Sequence, residues 1–275
     1  MHPLLPVRRR LRAAGAALYL LVASVGCASA PPLPAAGSVD ADKFLFDRGS
    51  KALAEKKWLN AREYFRRLVD TYPGSPFRAD AKLGIGDAYL GEGRSDSIVL
   101  AANEFREFLT FFPLSGRADY AQYKLAVAQM RQMLGPERDQ TATKSALAEL
   151  DRFLQGYPNS PLRPEVEKLR REARDRLSES EFRVGLFSYR SRNYGGAVAR
   201  FTALLKDDPE YTFRDGAYFY LAETYLKALE NPQTPAPMQE QIRKDAIALY
   251  EKLVAEFKTS EYLERANNRL AEFKR

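Results

Sequence analysis

The side chains that most often do chemistry are nearly missing from this 275-residue chain, which holds one histidine, His2, and one cysteine, Cys27. Both lie in an amino-terminal segment that reads as a targeting signal, so the folded part has neither. Their absence excludes Ser-His-Asp and Cys-His catalysis, histidine acid–base work and any Cys/His zinc or iron–sulfur site. An enzyme built on this chain would have to use carboxylates, lysine, tyrosine or a borrowed metal. Long apolar runs are missing too. The best stretch, Leu11 to Gly26, is broken by Arg12 and falls short of the roughly 18 to 20 residues that a spanning helix needs, so no membrane crossing is expected after processing. What remains is 45% hydrophobic and 29% charged, enough for a folded core and unlike disordered or collagen-like sequence.

Basic charge is scarcer than the formal +7 suggests, because Arg8, Arg9, Arg10 and Arg12 belong to the removable segment. Without them 39 basic side chains face 36 acidic ones, a net +3 over residues 27–275. The densest basic run, Lys168 to Arg176, carries Glu172 and Asp175 at helical spacing, which reads as a solvated, ion-paired face. No nucleic-acid partner is expected.

The amino terminus has the order of a bacterial secretory signal: four arginines and no acid in Met1 to Arg12, small apolar residues from Ala13 to Val25, then Gly26-Cys27. Two cleavage sites compete. Ala28-Ser29-Ala30 suits ordinary signal peptidase but would leave Pro31 first, where a proline ring fits poorly. Ser24-Val25-Gly26-Cys27 resembles the bacterial lipobox, with Ser24 where leucine is usual. On that resemblance residues 1–26 are a lipoprotein signal peptide and Cys27 carries covalent lipid, the only non-protein group expected, with no cofactor and no metal. Ala28 rather than aspartate after the cysteine implies the outer membrane, at its periplasmic face. Residues 27–41 are then the lipidated cysteine and a Pro-rich tether containing Pro31, Pro32, Pro34 and Gly37. Its fourteen residues after Cys27 reach at most about 45 Å at roughly 3.3 Å each.

From Asp42 onward apolar residues recur at three- and four-residue spacing, with proline and glycine at segment ends, which predicts helices throughout. One helix-ending phrase repeats: Tyr72-Pro73-Gly74-Ser75-Pro76, Phe112-Pro113-Leu114-Ser115, Tyr157-Pro158-Asn159-Ser160-Pro161 and, more loosely, Asp208-Pro209-Glu210. Setting these prolines at the last anchor of the 34-residue tetratricopeptide (TPR) pattern aligns five units. Their small residues are Gly49/Ala61, Gly86/Ala101, Ala126/Ala146, Gly185/Ala197 and Ala222/Ala246, and the fifth unit departs with Lys258 in place of proline. The glycine of the first helix is expected to face the alanine of the second at their closest approach. The fold class is thus all-α, a right-handed superhelix of about five TPR helix-turn-helix repeats with a C-terminal capping helix at Glu261 to Phe273. Units 1–3 occupy residues 42–162; units 4–5 and the cap occupy 163–275. A helix without an internal stop is expected from about Arg163 to Tyr189.

Stacked helix pairs display a concave surface, and first-helix residues off the packing seam would line it. Phe46, Leu83, Tyr120, Tyr123 and Met130 form an apolar, aromatic strip there, with Lys43, Lys124 and Arg131 nearby. That composition suits a peptide end carrying an aromatic residue and a free carboxylate. The competing expectation is that such aromatics are inter-repeat core.

The lipobox, the tether and the five units resemble the BamD family, lipoproteins of the outer-membrane β-barrel assembly machinery, over residues 42–255. The most specific parts are Phe65 to Pro73 after Trp58, the Arg138-Asp139 connector leading to Gly156-Tyr157-Pro158-Asn159-Ser160, and the long helix. The insert Asn231 to Gln241 departs from the family. The resemblance implies that the C-terminal units dock on a periplasmic domain of the barrel protein BamA, with Arg200 as the basic contact, and that the N-terminal units receive the C-terminal signal of unfolded outer-membrane proteins. Other assembly lipoproteins, and the inner leaflet of the outer membrane through the anchor, would be further partners. A different binding role is that of an envelope coordinator similar to CpoB, linking peptidoglycan synthesis with outer-membrane constriction; such proteins lack the anchor and carry a coiled coil not seen here. A carboxylate-based wall hydrolase could use Asp207-Asp208 or Glu179/Glu181, but these acids lie among charged neighbours, and no enzymatic activity is expected.

Overall fold

The computed structural model describes residue 38 and residues 40–230 and 235–273. The expected signal segment, Cys27, most of the tether and the first four residues of the insert, 231–234, lie outside the described residues. Among the described residues there are eleven helices and no strand: α1 (Ala41–Ala54), α2 (Trp58–Thr71), α3 (Arg78–Glu92), α4 (Ser95–Phe111), α5 (Ala118–Met130), α6 (Thr141–Gly156), α7 (Arg163–Arg190), α8 (Tyr194–Asp207), α9 (Arg214–Leu229), α10 (Ala236–Glu256) and α11 (Leu263–Phe273). Each packs on its neighbours in sequence, and α11 closes the stack on α10. This is an all-α, TPR-like superhelix of five helix pairs and a final helix. The uninterrupted helix expected at 163 is α7, with Pro164 in its first turn, where proline's missing N–H is not needed. No described helix is long and apolar enough to cross a membrane.

The alanines that mark the second helices, Ala61, Ala101, Ala146, Ala197 and Ala246, are all fully buried. The glycine opposite is there for a different neighbour than expected. A Cβ on Gly49 would stand 2.6 Å from the ring of Phe65, and one on Gly185 the same distance from Phe201, whereas real Cβ contacts lie beyond 3.0 Å. Phe65 also fills the space over Gly84, midway along α3, the first helix of the next pair. The glycine therefore makes room for the phenylalanine of the second helix, whose ring atoms are the nearest that a Cβ there would meet. A ring buried between two pairs ties them together, and burying one phenylalanine contributes about 1.5 to 3 kcal/mol.

Each second helix stops on a residue that has left the α region: Tyr72 (φ −123°, ψ 69°), Phe112 (−128°, 48°), Tyr157 (−130°, 59°), Asp208 (−137°, 75°) and Phe257 (−121°, 79°). Four of them precede proline, which disfavours helical backbone at that position. Phe257 precedes Lys258 and turns the same way, so proline is not the whole cause. A serine three residues on supplies the rest. The hydroxyls of Ser75, Ser160 and Ser260 each donate to the aspartate that opens the first helix of their own unit, Asp42, Asp119 and Asp215, all at 2.6 Å. The same oxygens accept the backbone N–H of Phe77, Leu162 and Tyr262 at 3.1 to 3.2 Å, at the start of the following helix. One side chain thus fixes the turn to the helix behind it and the helix ahead. In the fourth unit Tyr211 stands at that position and its hydroxyl donates to Glu179 of α7, while the turning residue Asp208 accepts from Ser178 and Arg171 of the same helix.

Candidate protein-interaction surfaces

On α5, Tyr120 and Lys124 lie one turn apart and both reach Asp87 of α3. The Tyr120 hydroxyl donates to the Asp87 carboxylate at 2.8 Å, and the Lys124 ammonium stands 3.2 Å from the same group. Arg117 lies 4.8 Å from the centroid of the Tyr120 ring, and Lys124 lies 5.1 Å from it, cation–π distances on a half-buried ring. Burial pushes the Tyr120 hydroxyl well above its ordinary value, and the Asp87 charge and hydrogen bond add to the shift, so it stays a neutral donor. A carboxylate-bearing ligand could use these donors only by displacing Asp87.

The remaining residues of the expected strip have different settings. Tyr123 and Met130 are half-buried against the apolar cluster built around Ala126, Leu150 and Phe153, and burial raises the Tyr123 hydroxyl. Arg131 donates to the Leu90 carbonyl at 2.7 Å. Lys43 is exposed and paired with Asp47 at 2.7 Å. Phe46 stacks on Phe77 with ring centroids 5.0 Å apart and lies 6.0 Å from Phe65, inside the joint between the first two pairs. Leu83 does not line the surface as expected: at 2% exposure it is core and offers nothing to a peptide. Its helix, α3, packs against α1, α2, α4 and α5, so apolar residues surround it and a one-sided face does not exist there. The structure therefore groups Tyr120 and Lys124 with Asp87 of α3.

Arg200 is exposed on α8, with its guanidinium 3.0 Å from the Glu181 carboxylate of α7. The two flank a cavity of about 320 Å³ that Arg174, Ser178, Asp207 and Asp208 also line. The acids considered for catalysis have partners. Burial drives the Asp208 carboxyl up, but hydrogen bonds from Arg171 and Ser178 outweigh it and hold the group below its usual value. Glu179 accepts from the Tyr211 hydroxyl and from Arg183, while Glu181 pairs with Arg200. Among the described residues no group of three or more His, Cys, Asp or Glu is placed to hold a metal.

At the far end, Glu223 of α9 is buried and receives Arg269 of α11 at 2.8 Å and the Tyr250 hydroxyl of α10 at 2.7 Å. Burial favours its protonated form, but these two donors prevail and the carboxyl is lowered. This network locks the closing helix onto the fifth pair. No spacing signal in the sequence connects residues 46 positions apart.

The YfiO family, whose description is "Outer membrane lipoprotein", matches residues 39–237, from the start of α1 into the first turn of α10. The chain belongs to this family. Three relatives carry the name "Outer membrane protein assembly factor BamD". The protein from Caulobacter vibrioides is 28% identical over 76% of this chain and 68% of its own length. That from Xylella fastidiosa is 24% identical over 66% and 64%, and that from Vibrio cholerae is 24% identical over 60% and 72%. The chain thus spans about two thirds of the length of these family members.

Proposed function

We propose that the chain is a lipid-anchored periplasmic scaffold of outer-membrane β-barrel assembly. The observation that carries this is the family match over residues 39–237, together with relatives that are named as outer membrane protein assembly factors. In this reading Cys27 bears the lipid and the chain acts by binding, without catalysis. The C-terminal pairs dock on a periplasmic domain of BamA, where Arg200 exchanges Glu181 for a partner carboxylate. The N-terminal pairs receive the C-terminal end of unfolded outer-membrane proteins, and Lys124, Tyr120 and Arg117 take its carboxylate in competition with Asp87. Charge-assisted hydrogen bonds of this kind have the strength to fix a chain end in place.

Affinity purification of the chain from detergent-solubilised envelopes, followed by mass spectrometry, tests the role. Recovery of an outer-membrane barrel with repeated periplasmic domains supports it. Recovery of cell-wall synthesis proteins without such a barrel would replace it with the coordinator.

A further inference from the structure

The five turns that follow the second helices serve as controls for one another. In four of them the residue before the turning residue is Thr71, Gly156, Asp207 or Glu256; in the second it is Phe111. Two residues beyond the turning residue the same four have Gly74, Asn159, Glu210 and Thr259; the second has Leu114. Both exceptions face water, Phe111 at 69% exposure and Leu114 at 98%. Four equivalent turns form with small or polar residues at these places, so folding does not require a phenylalanine and a leucine there.

We infer that the turn at Phe111 and Leu114 is a second membrane contact, inserting both side chains into the leaflet that holds the anchor. This goes beyond the assembly role and takes from it only the tether to lipid. Three observations favour a lipid surface. First, the chain enters the fold on this edge. Asp42, at the start of α1, bonds to Ser75 in the first turn at 2.6 Å; Arg78, just beyond that turn, lies 5.8 Å from the ring of Phe112, and Asp80 stands 3.6 Å from Arg117, both in the second turn. Second, the reach suffices. The fourteen residues from Ala28 to Ala41 span up to about 45 Å. Two helix-pair steps of about 10 Å each separate the entry point from the second turn. Third, the stretch from Phe108 to Ala118 has no acidic residue and contains Arg117, with Arg106 just before it; Glu107 and Asp119 stand at its two borders. Exposed apolar side chains on a turn without acids of its own, with Arg106 and Arg117 beside them, match a phospholipid surface, where each buried apolar group and each basic residue adds to retention.

The lone cysteine makes the test direct. The chain from residue 27 with Cys27→Ser and an amino-terminal hexahistidine is held on vesicles of phosphatidylethanolamine and phosphatidylglycerol containing a nickel-chelating lipid. This replaces the acyl anchor, so the outcome does not depend on whether Cys27 is acylated or on the assembly role. A polarity-sensitive nitrobenzoxadiazole label is placed at Leu114→Cys, and at Asn159→Cys as the equivalent position one turn on. The inference expects an emission rise of about threefold and a blue shift at 114 on vesicle binding, with no change at 159. It also expects the untethered chain to bind the same vesicles at least about tenfold more weakly when Phe111→Asp and Leu114→Asp are combined, since each side chain loses its apolar transfer. An unresponsive label at 114 overturns it. Protection of Leu114→Cys from maleimide in whole envelopes, with no response to vesicles, would assign the turn to a protein instead and equally overturn it.

Discussion

Gly185→Ala puts the packing account at risk with a single methyl group. The new Cβ would lie 2.6 Å from a ring carbon of Phe201. That ring is fully buried, with Phe182 at 5.7 Å and Tyr220 at 6.4 Å between centroids, so it has nowhere to retreat. Overpacking of this kind costs about 3 kcal/mol at its upper end. Replacing glycine within a helix returns about 1 kcal/mol. The net loss is about 2 kcal/mol, or about 4 to 8 °C in melting temperature for a chain of this size. Gly195→Ala is the control from the adjoining helix of the same pair, because nothing lies within 4 Å of its Cβ; it should leave stability unchanged or slightly raised. Urea and thermal unfolding of both variants, and of Gly185→Ala combined with Phe201→Leu, complete the test. The double variant should recover at least about 1 kcal/mol relative to the sum of the single changes. Equal stability of the two alanine variants would refute the claim that glycine spaces the helices for the phenylalanine.

Ser75→Ala removes both bonds of the first turn and should cost about 1 kcal/mol, measured as faster amide exchange at Phe77 and at the start of α1. Glu223→Gln should cost about 2 to 3 kcal/mol, below the range for a fully buried pair because 38% of the Arg269 side chain is in water, and should loosen α11 first. Glu223 and Asp208 are both lowered in the folded chain. Their stabilisation is therefore complete above the unfolded carboxylate value of about 4 and is lost as the pH falls through the folded values, so acid unfolding should begin in the C-terminal pairs below about pH 4. A pH titration by circular dichroism checks this, with Glu223→Gln flattening the transition. Asp87→Asn frees Lys124 and should strengthen binding of a barrel-protein C-terminal peptide by about fivefold in fluorescence anisotropy; weaker binding would show that Asp87 assists the ligand.

Much of the fold was legible because each repeat marks itself twice, with a small residue on one helix and alanine and an aromatic on the other, and because proline avoids the interiors. The absence of a stop between Pro164 and Arg190 marked α7 in the same way. Proline proved an incomplete guide to the turns, since the fifth forms at Lys258 with Ser260 bound to Asp215. The surface residues were harder to place. Helical periodicity puts Leu83 and Tyr120 on a face, but whether that face meets water or another helix depends on neighbours far along the chain, and α3 is enclosed by four helices. Asp87 was invisible as the hub of the Tyr120 and Lys124 group because its partners are 33 and 37 residues away, on the next pair.

Depleting the chain from its own cells, and scoring folded outer-membrane barrels by their heat-modifiable migration on gels, tests the central claim most directly. The assembly role predicts that folded barrels fall while unfolded precursors accumulate in the periplasm. Barrels at normal levels, alongside a defect in wall constriction during division, would contradict it.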